Sequence, residues 1–220
     1  MGIIILSIDP GIKNLGYSLI QFKNNKLNFV NIDNLKLFFE DNGTEFKELQ
    51  NIDIFSSIGK NNIYDKVVNL LKSIIDKLDL ENNYFYIILE KQMKISVKIS
   101  EVASIINTFF YTYFLFNKDK KYKYEIVTIS PHFKNKIASV MDHDNKIRIK
   151  FINQYQYNKF IVEQYFLKIN EELKLINIDN YITGGGKHIA KLNDISDSFV
   201  QILSFIHYHL NVNTKKKLNK

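Results

Sequence analysis

Four acidic residues stand where a carboxylate is costly. Asp9 closes the run IIILSID, Glu90 closes YFYIILE, and Asp194 and Asp197 lie three apart in KLNDISDSF. The first two runs are so dense in Ile, Leu, Tyr and Phe that each reads as a strand buried on both faces, where an ionised carboxylate is disfavoured unless a partner neutralises it. If folding brings those strand ends and one helix terminus together, mutual repulsion raises the pKa values and strains the fold unless a cation sits among them. Oxygen ligands without His or Cys select Mg²⁺, with Mn²⁺ able to substitute. Two such ions roughly 4 Å apart hold a phosphodiester, activate water on one side and stabilise the leaving oxygen on the other. The chemistry is metal-assisted phosphodiester hydrolysis.

Each acid alone has an ordinary explanation. An Asp before Pro-Gly is commonly a turn former, Glu90 has Lys91 and Lys94 close by in sequence, and Asp194 and Asp197 complement a helix N-terminus from beside its apolar stripe. Together, in the two most aliphatic strands and in the one helix that follows the loop TGGGKH, they point to a shared cation.

These residues need elements to position them. Ile3 to Asp9 reads as the first strand, PGIKNLG as a turn, and GYSLIQF and KLNFVNI as two further strands joined at KNN, a three-stranded meander. Residues 33–60 carry turn signals and no clear element. Val67, Leu70, Leu71, Ile74, Ile75 and Leu78 follow helical spacing, and YFYIILEKQ is the next strand. A long helix covers Ile99 to Phe116, KYEIVTIS is a strand, and SPHFKNKI starts a helix with Ser130 as N-cap and Pro131 at its first position. Helical pattern runs from Phe160 to Leu175 and from about Ile189 to His209. The order predicts one α/β domain over residues 1–210, a mixed sheet covered by helices on both faces, followed by a basic flexible tail over 211–220. Gly11 is read as bending the backbone away beneath a phosphate, and Gly16 as permitting a close strand crossing.

Composition sets wider limits. The chain has 220 residues, 45% of them hydrophobic, enough for one sizeable core. Its net charge of +7 favours polyanion partners, although Arg148 is the only arginine and the Lys, Asn and Ile bias also fits an AT-rich genome. No Cys is present, so there is no disulfide framework or Cys zinc site, in keeping with an intracellular protein. The first twenty residues lack a basic region ahead of the apolar run, which argues against a signal peptide, and no uninterrupted apolar segment reaches membrane-spanning length.

SIDPGIKNLGYSLI, ILEKQ and KLNDISDSFVQ, in that order, resemble the RuvC-like branch of the RNase H superfamily, and most closely the poxvirus-type Holliday junction resolvases, with fungal mitochondrial resolvases as near relatives. The resemblance spans residue 3 to about 205. It implies an RNase H-like mixed five-stranded sheet and a homodimeric, Mg²⁺-dependent endonuclease with two ions per site, cutting four-way or branched DNA by paired symmetric nicks. It makes Asp9, Glu90, Asp194 and Asp197 metal ligands and places a catalytic lysine after the fifth strand, either Lys134 or Lys136, to counter charge on the phosphoryl group. Lys13, Lys91, Met93, Lys136 and Lys187 are candidate DNA contacts. Met93 stands where bacterial relatives carry a base-stacking aromatic. The runner-up is a nuclease of the same fold acting on RNA–DNA hybrids or other branched nucleic acids. Two further readings are an ATP-binding protein of the actin and sugar-kinase type, whose first strand also ends Asp-any-Gly, and a non-catalytic DNA-binding module.

Overall fold

The computed structural model describes residues 1–11, 14–24, 26–27, 35–53, 63–92, 97–142, 146–178 and 189–211. Strands β1 (Gly2–Pro10) and β2 (Asn14–Phe22) form an antiparallel pair, with Asp9 opposite Gly16. After α1 (Leu35–Asp41), β3 (Thr44–Asp53) adds antiparallel to β2. Then come α2 (Ile63–Ile75), β4 (Asn83–Glu90), α3 (Val97–Phe116), β5 (Lys123–Ile129), α4 (Pro131–Ala138), α5 (Gln154–Leu173) and α6 (Ile189–Phe205). A π-helical turn over Ile206–Leu210 ends the described chain. The sheet order is β3-β2-β1-β4-β5, with β4 parallel to both β1 and β5. This is the expected mixed five-stranded sheet flanked by helices.

Period-two alternation explains the two cores. Ile4, Leu6 and Ile8 of β1 pack on one face with Val67, Leu71 and Ile74 of α2 and Val102, Ile106 and Phe110 of α3. Ile3 and Ile5 pack on the other with Phe38 of α1, Phe166 of α5 and Phe199 of α6. Burial on both faces is why β1 reads as a continuous aliphatic run rather than as alternation.

Two expectations need correction. The third strand is not KLNFVNI: Lys26 and Leu27 are not in a strand, residues 28–32 lie outside the described ones, and the strand paired with β2 is β3, inside the stretch that carried no clear element. Its pattern is hidden by Glu45, Lys47 and Glu48, charges that suit an edge strand, and by a bulge opposite Leu19 and Ile20 that breaks the alternation. The fifth helix starts at Gln154 rather than Phe160, because Asn153 caps it by accepting the Gln156 N–H at 2.8 Å. Helix α3, though interrupted by Lys98 and Glu101, is by length and mean hydropathy apolar enough to cross a membrane. Here its row Val102, Ile106, Phe110 and Phe114 is buried against the sheet, with Phe110 and Phe114 each packed edge-on to Phe85.

Candidate active site

The alternation that divides the cores also aims the acids. Asp9 shares its side of β1 with Ile3 and Ile5, and Glu90 shares its side of β4 with Ile88, so both belong to the α5–α6 face. Parallel pairing sets Ile8 opposite Leu89, so the next residues, Asp9 and Glu90, leave neighbouring strands at the same end of the sheet.

Helix α6 brings the second pair. Gly16 lies opposite Asp9, and a Cβ there would collide with the carbonyl oxygen of Asp194. Two residues along β2, the hydroxyls of Ser18 and Ser198 are 2.8 Å apart. A stripe of small side chains on β2 thus lets α6 lie directly on the strand. Gly16 serves a helix crossing, not the strand crossing expected from sequence. Asp197 is only 7% exposed, not beside the apolar stripe as expected, because α6 is packed nearly all round.

The cation comes from α4. Ser130 caps that helix, accepting the His132 N–H at 3.3 Å, and Pro131 fits the first helical position. One turn in, Lys134 is buried, its Nζ 2.5 Å from Glu90 Oε2 and 2.8 Å from Asp197 Oδ1. Glu90 therefore pairs with Lys134; of the sequence neighbours weighed as its partners, Lys91 is exposed and Lys94 lies outside the described residues. Of the two candidate lysines it is Lys134 that enters the cluster; Lys136 is exposed, its ammonium 5.4 Å from the centre of the Tyr208 ring. Glu90 Oε2 is buried, and the Lys134 ammonium is the charge set against it.

The electrostatics follow from this crowding. Burial pushes the Asp9 carboxyl well above the usual carboxylate range; Lys134 opposes the shift, while Glu90, Asp197 and Asp194 add to it. For Lys134, burial works against the charged form, and Asp197, Asp9 and Glu90 together outweigh it, so the ammonium is held above its ordinary pKa. Lys134 is the buried cation that opposes the repulsion within the cluster.

Helix α5 supplies a pair that sequence reasoning missed. Lys159, Glu163, Phe166 and Asn170 form one helical row, of which Phe166 and Asn170 are buried; the Phe166 ring packs against Phe199 at 5.5 Å. One and two turns upstream, Glu163 feels Asp197, and Lys159 feels Asp197 and Asp194. Burial raises the Glu163 carboxyl, with Asp197 adding to it and Lys159 opposing. Burial opposes the charge on Lys159, but Tyr155, Asp197 and Asp194 raise its pKa. In sequence this i,i+4 pair looks like any surface ion pair; only its place in the Phe166 row gives it away.

Yeast mitochondrial Holliday junction resolvase Ydc2 superposes with a TM-score of 0.55 at 12% identity, over 96% of this chain and 85% of that one. The fold is RNase H-like. Thermus thermophilus RuvC, alone and in complex with a Holliday junction substrate, gives TM-scores of 0.49 and 0.48 at 9% identity, covering 94% of this chain and 97% of theirs. No family model and no curated protein sequence matches the chain.

Within this RNase H-like frame, Asp9, Glu90, Asp194, Asp197 and Lys134 gather at one end of the sheet. Lys91 is exposed just past β4, its N–H donating to the Ile129 carbonyl at 2.8 Å, so its backbone extends the β4–β5 ladder. Lys13, Met93 and Lys187 lie outside the described residues. Among the described residues no group of three or more carboxylates or imidazoles is arranged to hold a metal ion. The donor chemistry is of the kind a hard divalent cation takes, oxygen atoms only, and a lysine supplies the positive charge among them.

Proposed function

We propose that this chain is a structure-selective endonuclease that resolves four-way DNA junctions by paired symmetric nicks, using Mg²⁺ held by Asp9, Glu90, Asp194 and Asp197. The observation that carries this reading is the buried bridge Glu90–Lys134–Asp197 beside Asp9. Residues far apart in sequence, on two strands and two helices, deliver four acids and a fixed cation to one edge of an RNase H-like sheet. A purely structural site has no need of so many carboxylates around one lysine.

Bound Mg²⁺ supplies Lewis acidity and a nucleophilic water. The protein's share is placement. β1 and β4 fix Asp9 and Glu90 on a rigid sheet, Gly16 lets α6 present Asp194 and Asp197, and Lys134 faces charge that develops on the phosphoryl oxygens, where a buried ammonium is worth more than in water. Because its neighbours hold it protonated, Lys134 acts as an electrostatic stabiliser and not as a general base.

Paired nicks need two sites, and we assign the second to a second copy docked through α3. Val97, Tyr111, Leu115 and Phe116 are 54–81% exposed there, and a groove of about 710 Å³ opens beside Phe109, Tyr113 and Phe116. The test is a panel of labelled four-way junction, flap, linear duplex and RNA–DNA hybrid with Mg²⁺. Symmetric paired nicks confined to the junction are expected; preferential cutting of the hybrid would replace the resolvase reading.

A further inference from the structure

Residues 146–153, which lead into α5, are held by a net of hydrogen bonds yet hold two isoleucines in water. The Asp142 carboxylate accepts the Ile147 and Arg148 N–H groups at 2.9 and 2.8 Å and the Tyr157 hydroxyl at 3.2 Å. Arg148 folds inward, its Nε donating to Gln154 Oε1 and its Nη1 to the Phe151 carbonyl, both at 2.9 Å, with the guanidinium 5.5 Å from the Tyr157 ring. The Phe151 ring packs on Tyr157 and Phe160. These contacts fix the turn. Ile149 and Ile152 nevertheless stand 80% and 99% exposed, and Tyr155, in the first turn of α5, 64%. One exposed aliphatic is unremarkable; three large apolar side chains displayed on a pinned turn ask for an occupant.

Position and charge say which. Ile152 directly precedes the N-cap Asn153, and Lys159 follows about 9 Å further along the helix. The Lys159 ammonium lies 5.2 Å from the Tyr155 ring, on the row that meets Asp194 and Asp197. The apolar tips therefore stand on the turn that leads into the helix carrying Lys159 toward the acid cluster, with Lys146 and Lys150 exposed among them. An apolar surface edged by lysines suits base faces within a polyanion: side chains wedge or stack against bases while ammonium groups follow the phosphates.

We propose that residues 146–159 form a nucleic-acid contact beside the acid cluster, with Ile149, Ile152 and Tyr155 against unstacked bases and Lys150 and Lys159 on flanking phosphates. The inference rests on the nuclease reading, which puts a phosphate over Asp9 and Glu90. The test is the double variant I149S/I152S, assayed for binding in Ca²⁺ to a four-way junction carrying 2-aminopurine at the branch and to a linear duplex of the same sequence. Wild type should bind the junction and raise the 2-aminopurine signal. The double variant should lose on the order of tenfold in junction affinity and most of that signal, with duplex binding nearly unchanged and no fall in Tm. Lys150→Glu should weaken both substrates and flatten the salt dependence. Equal junction affinity and equal fluorescence in the double variant overturn the proposal, as does a change in its mass by light scattering with DNA binding intact, which makes the turn a protein contact. If wild type binds and cuts junctions while the double variant matches it, this inference alone fails; if wild type binds no junction, the nuclease reading fails with it.

Discussion

Replacing Lys134 by Met removes the one positive charge ion-paired, among the described residues, to both Glu90 and Asp197 while keeping an unbranched side chain of similar length. Both contacts are short, at 2.5 and 2.8 Å, and the lysine side chain is 8% exposed, so solvent cannot take over its role. Breaking a buried pair by deleting one partner costs about 3–5 kcal/mol, because the remaining charges are left uncompensated. For a domain of this size that is a fall in Tm of roughly 6–20 °C. The distinguishing part is rescue. If the acids enclose a cation position, Mg²⁺ binds the folded variant and not the unfolded chain, and so restores stability as its concentration rises. Thermal unfolding in EDTA and across a Mg²⁺ series reads both effects. A variant as stable as wild type in EDTA, or one that melts at the same lowered temperature with and without Mg²⁺, refutes the cation-centred description of the site.

Asp9→Asn should raise stability at neutral pH and leave it unchanged near pH 3.5. The folded-state pKa of Asp9 lies above its unfolded value of 3.8, so both states are protonated below 3.8 and the penalty builds as pH rises through the folded pKa; urea unfolding at several pH values checks the sign. Gly16→Ala should cost about 1–3 kcal/mol and reduce cleavage, since the new methyl displaces the Asp194 backbone; Ser18→Ala, which leaves that approach open, should retain activity. Phe116→Glu should convert a dimer to the 25.9 kDa monomer in light scattering and abolish paired nicking while leaving the fold intact.

What could be read in the sequence follows from how local its causes are. The strands β1 and β4 are legible because strands buried on both faces are written as nearly unbroken aliphatic runs, and the α4 cap because Ser-Pro carries its own geometry. Asp9 and Glu90 were visible because each interrupts the aliphatic pattern around it, and Asp194 and Asp197 only in combination with them. β3 was not legible, since an edge strand carrying Glu45, Lys47 and Glu48 and a bulge has no apolar period to detect. The choice between Lys134 and Lys136 was also out of reach, for two residues on a helix differ by more than half a turn, and only the packing of α4 on α6 says which one is inside. Lys159 and Glu163 show the same limit: their spacing is that of an exposed pair, and their proximity to Asp197 is a property of how α5 lies on α6.

The most direct measurement is cleavage of a labelled four-way junction by wild type and by Asp9→Asn, with Mg²⁺ and with EDTA. Wild type should place symmetric nicks at the branch in Mg²⁺ alone, and Asp9→Asn should bind the junction at least as tightly yet leave it intact. Undiminished cutting by Asp9→Asn, or cutting by wild type in EDTA, would contradict a metal-dependent acid cluster built around Asp9.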